Sequence, residues 1–187
     1  MGLFDIFKNK DEDDNFDPLS DLSLDALKVG YYLDYDLKTW EVTAYNRYDY
    51  GEGTYSDEWE LTSGREKVYL IREEDDSVWW SICTKMAISE IDEDVIAHIK
   101  QKDDPQSRIT VDGKPYFLDE SGPVHFIENG NFEKVGLIYW SFIDRDDENY
   151  VEIEQWGEED FEAAKGSYVE EYLFTNILPG GEDGLGK

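Results

Sequence analysis

Polar and apolar positions alternate along most of the chain. From Lys38 the order is regular: Trp40, Val42 and Ala44 fall on one side of an extended segment, and Thr39, Glu41 and Thr43 on the other. A period of two predicts a half-buried strand. Asp49 to Gly53 supplies a turn, since glycine enters positive φ without penalty, and Thr54 to Leu61 runs back as a second strand. The stretch from Tyr31 to Leu61 is crowded with tyrosine and tryptophan, side chains that suit a pleated, half-covered surface.

The same pattern continues downstream. Glu66 to Arg72 and Ser77 to Lys85 flank an acidic hairpin turn. Ser89 to Lys102 breaks the alternation: Ile91, Val95 and Ile99 recur every four residues, Ser89 stands where an N-cap belongs, and Pro105 follows the end. This predicts one helix. Arg108 to Val111 and Tyr116 to Asp119 are separated by Asp112-Gly113, a hairpin signal. Val124 to Glu128, Val135 to Asp144 and Tyr150 to Trp156 read as further strands, and Phe161 to Ala164 as an edge strand. Tyr168 to Ile177 fits either a strand or a short helix.

The expected architecture is mainly β, with antiparallel sheets forming a sandwich or two half-barrels and one linking α-helix at 89–102. Residues 1–17 read as an amphipathic segment with an acidic linker, 18–178 as a single β-rich domain, and 179–187 as a flexible Gly-rich tail. Tyr31-Tyr32-Leu33-Asp34 is echoed by Tyr116-Phe117-Leu118-Asp119, so 29–88 and 108–178 are either pseudo-repeats or a chance echo of β periodicity.

The 46 acidic against 17 basic residues, a net charge of −29, change the picture of partners. Such a surface repels nucleic-acid phosphates and anionic lipid; basic proteins, polyamines and divalent cations are its electrostatic complements. An apolar content of 40% still allows a packed core and excludes global disorder. The single cysteine, Cys83, permits no internal disulfide and fits a reducing compartment. No apolar run is long enough to span a membrane, and the N-terminus lacks signal-peptide character, so the expected location is cytoplasmic. Leu3, Phe4, Ile6 and Phe7 sit close together and could dock on a partner or attach weakly to a membrane.

Candidate chemistry is sparse. His98, His125 and Cys83 lie on separate elements, the acidic turns do not match a calcium loop, and no nucleophile elbow is present; no catalytic residue, metal ligand or cofactor is expected. The candidate ligand or partner contact is the polar-aromatic set Trp40, Glu41, Asp57, Glu58 and Trp59. Alternation puts Trp59 and Leu61 on one face, and Glu58 and Glu60 on the other. Trp59 is then a core residue, and Glu58 either a solvated charge or a carboxylate held in a cleft for a cationic or hydroxyl-bearing ligand.

Leu27-Lys28-Val29-Gly30, Asp34 to Val42, Asp57 to Leu61, Gly113 to Asp119, Glu154-Gln155-Trp156-Gly157 and Asn176 to Pro179 together resemble a bacterial family catalogued as domain of unknown function 4178. The resemblance implies a mainly β, cytoplasmic domain with no established activity, whose relatives tend to be encoded near membrane-stress proteins. Together these features lead to the expectation of a non-enzymatic accessory or scaffold module, membrane-proximal and with a protein partner. The alternatives are an acidic inhibitor or nucleic-acid mimic that masks a basic protein, and a small-ligand binder or enzyme with a polar-aromatic cleft.

Overall fold

The computed structural model describes residues 22–180 apart from 75, 130 and 132. Leu3, Phe4, Ile6 and Phe7, and the tail beyond Gly180, lie outside the described residues. The elements are β1 (Tyr32–Tyr35), β2 (Lys38–Gly51), β3 (Thr54–Ser63), β4 (Glu66–Glu74), β5 (Val78–Met86), α1 (Val95–Lys102), β6 (Arg108–Val111), β7 (Lys114–Glu128), β8 (Val135–Ile143), β9 (Asn149–Gln155), β10 (Phe161–Val169) and β11 (Thr175–Leu178). All strand pairs are antiparallel, in the order β11-β1-β2-β3-β4-β5-β10-β9-β8-β7-β6. A further pairing of β2 with β7, from Asn46↔Glu128 to Asp49↔His125, closes eight of them into a barrel. The fold is therefore one closed barrel rather than a sandwich.

Turn chemistry sets the hairpins. Glu52 and Gly53 join β2 to β3 with φ of 53° and 89°, and Asp112 and Gly113 join β6 to β7 with φ of 52° and 73°. Positive φ at both central residues matches the twist of the flanking strands. The two halves of the chain follow the same order: a four-residue strand, a two-residue turn, then a long strand opened by Lys38 or Lys114. Each long strand carries an irregularity near its start, between Val42 and Ala44 in β2 and between Leu118 and Glu120 in β7. The Tyr-Tyr-Leu-Asp echo does not follow this correspondence, since its copies stand on β1 and β7.

The irregularity in β2 turns Ala44 away from Trp40 and Val42. Val42 pairs with Leu61, but Ala44 pairs with Glu60, on the opposite face of β3. An extra residue in one strand reverses the alternation beyond it.

The helix is shorter than its apolar spacing suggests. Asp94, not Ser89, caps it by accepting a hydrogen bond from the Ala97 N–H. Residues 88–92 are held elsewhere: Ile91 bridges Val111 and the Asp92 N–H donates to the Thr110 carbonyl. Tyr116 to Asp119 and Val124 to Glu128 are one strand. Pro123 is tolerated because β6 covers β7 only to Phe117 and β2 begins at His125, so that strip is paired on one side alone. Phe161 to Ala164 opens a central strand, with β10 lying between β5 and β9.

Two apolar cores form on the outside of the barrel wall. One packs Trp40, Val42, Trp59, Leu61, Leu70, Trp80 and Ile82 under Leu24, Leu27, Leu33 and Phe174. The other packs Trp140, Phe142, Val151 and Ile153 under Ile91, Val95, Ile99, Ile109 and Val111. Both draw on one face of each strand and leave the opposite face to line the interior.

Candidate functional site

The inward faces mix polar groups with two small apolar clusters, Ile71, Cys83 and Ala164 around Tyr150, and Val124 and Leu137 around Tyr48. On β9, Val151 and Ile153 enter the outer core, and Tyr150, Glu152 and Glu154 turn inward; on β3 the same split separates Trp59 and Leu61 from Ser56 and Glu58. One end of the interior opens into a cavity of about 610 Å³. Its aromatic wall is Tyr50, Tyr55, Trp79, Tyr139, Tyr150 and Tyr168. Its carboxylates are Glu73, Glu74, Asp119, Glu120, Asp147 and Glu152, and no lysine, arginine or histidine lines it among the described residues. Trp79, 57% exposed, stands edge-on to Tyr168 at the mouth, and Tyr168 in turn packs on Tyr150. The Tyr150 hydroxyl hydrogen-bonds Ser81 at 3.0 Å. Gly166 makes room for this ring, because a Cβ there would lie 2.4 Å from Tyr150 Cζ.

Farther in, Glu58, Cys83, Lys85, Glu152 and Glu154 surround a narrow space of about 20 Å³. Lys85 donates to Glu162 at 2.7 Å and to Glu154 at 3.3 Å, and its ammonium lies 5.7 Å from the centre of the Tyr69 ring. Burial alone would lower its pKa, but Glu154 and Glu162 outweigh burial and hold it protonated. Glu58 is 5% exposed and accepts a hydrogen bond from Asn46 Nδ2 at 2.8 Å. Burial pushes its carboxyl up to about 7, against the pull of Asn46 and Lys85. Burial raises Glu152 well above the usual carboxylate range, reinforced by Glu154 and Glu73. Glu73 keeps surface open to the cavity, yet desolvation by the surrounding wall, with Glu120 nearby, raises it as well. No hydrogen bond or ion pair with a described residue holds the Glu152 carboxylate. Cys83 is no nucleophile: burial and the neighbouring Glu58 push its thiol up.

The five polar-aromatic candidates do not meet at one place. Glu58 faces the interior. Asp57 and Trp59 face outward, beside a groove of about 400 Å³ shared with Lys28, Tyr45 and Arg47. There Asp57 accepts from the Tyr45 hydroxyl at 2.5 Å and from Arg47 Nε at 2.8 Å. Trp40 and Trp59 are buried in the outer core, their indole N–H groups donating to the carbonyls of Tyr35 and Leu27. Glu41 is half-buried, pairs with Thr62 and lines neither cavity. Glu73, Glu120, Glu152 and the tyrosine wall carry no linear motif. Their one signal is Tyr and Glu alternating with Val and Ile, as in Tyr150 to Glu154.

The acidic turn at Asp144 is closed by its own donors. Asp144 is occupied: Lys114 and Asn149 donate to Oδ2, and the N–H groups of Asp146 and Glu148 to Oδ1. Among the described residues no three His, Cys, Asp or Glu side chains are grouped so as to hold a metal ion. No described helix is long and apolar enough to cross a membrane.

Fold and site together define an antiparallel β-barrel whose two largest apolar cores lie outside its wall and whose cavity is acidic and tyrosine-lined. The chain belongs to the family described as Domain of unknown function (DUF4178), whose family model matches residues 28–171. It is also similar to an uncharacterized protein of Aquifex aeolicus (strain VF5), 30% identical over 182 residues that cover 96% of this chain and 99% of that protein. No solved structure matches the chain.

Proposed function

We propose that the protein is a non-enzymatic binding module whose barrel cavity receives a small organic cation. The observation that carries this reading is the 610 Å³ cavity with carboxylates and aromatic rings but no lining base among the described residues. Cavities of this size accommodate small molecules. Tyrosine and tryptophan faces attract cations, and the attraction strengthens where water is excluded. Carboxylates left without a counter-charge in a partly desolvated space favour the arrival of one. Binding without chemistry fits the interior, where the thiol is buried and protonated and the one ammonium is committed to Glu154 and Glu162.

In this reading the accessory role implied by the family resemblance becomes that of a ligand-responsive module. The matched strand order and the matching irregularities in β2 and β7 support an origin by duplication, with the cavity enclosed between the halves. The test is a thermal-shift panel of organic cations, organic anions and neutral sugars at about 0.15 M salt, where surface charge is screened over about 8 Å. Cations alone should raise the midpoint, and Ser141→Trp, which fills the cavity, should abolish the shift. A shift produced equally by anions or sugars, or one that survives Ser141→Trp, would remove the proposal.

A further inference from the structure

Resting on the organic-cation reading, we infer that the ligand is a linear polyamine, threaded lengthwise from the Trp79–Tyr168 mouth toward Glu152. Three observations select a chain over a compact ion. First, Glu152 lines both the wide cavity and the narrow inner space, so the two adjoin as one channel that narrows from about 610 Å³ to about 20 Å³ at its inner end. Second, the carboxylates are spread along that channel. Alternate residues of a strand lie roughly 6.6 Å apart, and Glu152 and Glu154 are such a pair. Glu73 comes from another strand, and no three of these groups gather on one point among the described residues. A single metal ion or quaternary ammonium satisfies one station and leaves the others unmatched. Ammonium groups separated by methylene spacers meet several in turn, and the spacers lie against tyrosine rings.

The third observation is Lys85. Its side chain is a primary ammonium on a methylene stem; it lines the narrow space, with 37% of the side chain open to solvent beyond it. Glu154 and Glu162 hold the ammonium, and the Tyr69 ring lies beside it. The barrel thus displays, with its own side chain, how it accommodates an alkylammonium. Lys85 satisfies Glu154, and Glu152, the next inward carboxylate toward the mouth, has no hydrogen-bond or ion-pair partner among the described residues. An incoming terminal ammonium takes that place.

The experiment is isothermal titration of the full chain at about 0.15 M salt with spermidine, putrescine, tetramethylammonium and magnesium as probes. Spermidine is expected to bind one per chain and more tightly than either putrescine or tetramethylammonium. Glu152→Gln should weaken it by about tenfold or more, and Glu159→Gln, an exposed charge outside the barrel, should leave it unchanged. If tetramethylammonium binds as well as spermidine and loses affinity with Glu152→Gln, the organic-cation reading stands and the polyamine is overturned. Spermidine binding that Glu152→Gln and Glu159→Gln affect alike is surface attraction and overturns the inference. Failure of every organic cation to bind overturns both readings.

Discussion

Glu58 and Asp144 are both buried carboxylates, and they respond to pH with opposite signs. The folded protein holds the Glu58 proton more tightly than the unfolded chain, raising the group from its usual 4.5 to about 7. Its contribution is therefore greatest below about pH 4.5 and is lost as pH rises to about 7, a change of about 3 kcal/mol at ~1.4 kcal/mol per unit. Glu58→Gln should remove this part of the slope and raise stability at pH 8 by up to that amount, measured by urea unfolding at pH 5 and pH 8. Glu152 and Glu73 act in the same direction, so a residual slope remains. For Asp144, desolvation works upward, but Lys114, Asn149 and the loop N–H groups hold it below the usual 3.8. Its contribution is present above that value and lost as pH falls through the depressed one. Asp144→Ala leaves four donors without their acceptor and should cost about 2–3 kcal/mol at neutral pH, read from the denaturation midpoint.

At the scale of elements, the hairpins were legible and their inward faces were not. Asp112-Gly113 and the Gly51–Gly53 region announce their turns through residues that accept positive φ. An alternation such as Tyr150-Val151-Glu152-Ile153-Glu154 also announces a strand, but the usual inference puts glutamates in solvent. Here both faces of β9 are covered, and what decides which face is the interior is packing by α1 and β6, distant in sequence. Sequence reads β10 as an edge for a related reason: Ala163, Ala164 and Gly166 look weak for a strand, yet the small size of Ala164 and Gly166 lets it run under Tyr150. Gly166→Ala tests this fit. It should push the Tyr150 ring from its place, destabilise the fold by about 1–3 kcal/mol and reduce ligand affinity, seen together in melting and titration.

For the whole molecule, charge and architecture have one explanation. Small barrels fill their interiors with side chains or hold one small ligand there; this one puts its two largest apolar layers outside and keeps inside, beside smaller apolar clusters, a set of carboxylates whose mutual repulsion opposes folding. The net charge of −29 was plain from composition, but its partition between surface and interior was not. That partition depends on the β2–β7 closure, which joins Asn46 to Glu128 across a long stretch of chain and leaves no local signature. Trp79 and Trp80 show the same limit. Adjacency predicts opposite faces, but only the closed barrel says that Trp80 joins an outer core and Trp79 guards the mouth.

The two lateral seams of the barrel are unequal. β5 and β10 are joined over seven residue pairs, Ala163↔Met86 to Val169↔Trp80, and β2 and β7 over four. Each outer core belongs to one half of the wall, so the shorter seam parts by breaking the inner Tyr48–Phe126 cluster without tearing either outer core. The molecule is in this sense a book with a spine at β5–β10 and a clasp at β2–β7. Breathing at the clasp would bare the interior without global unfolding. Amides in the β2–β7 pairing should therefore exchange with deuterium faster than those in β5–β10, and a bound ligand should slow them most. Equal protection of the two seams in a hydrogen-exchange time course would show that the covers move as one.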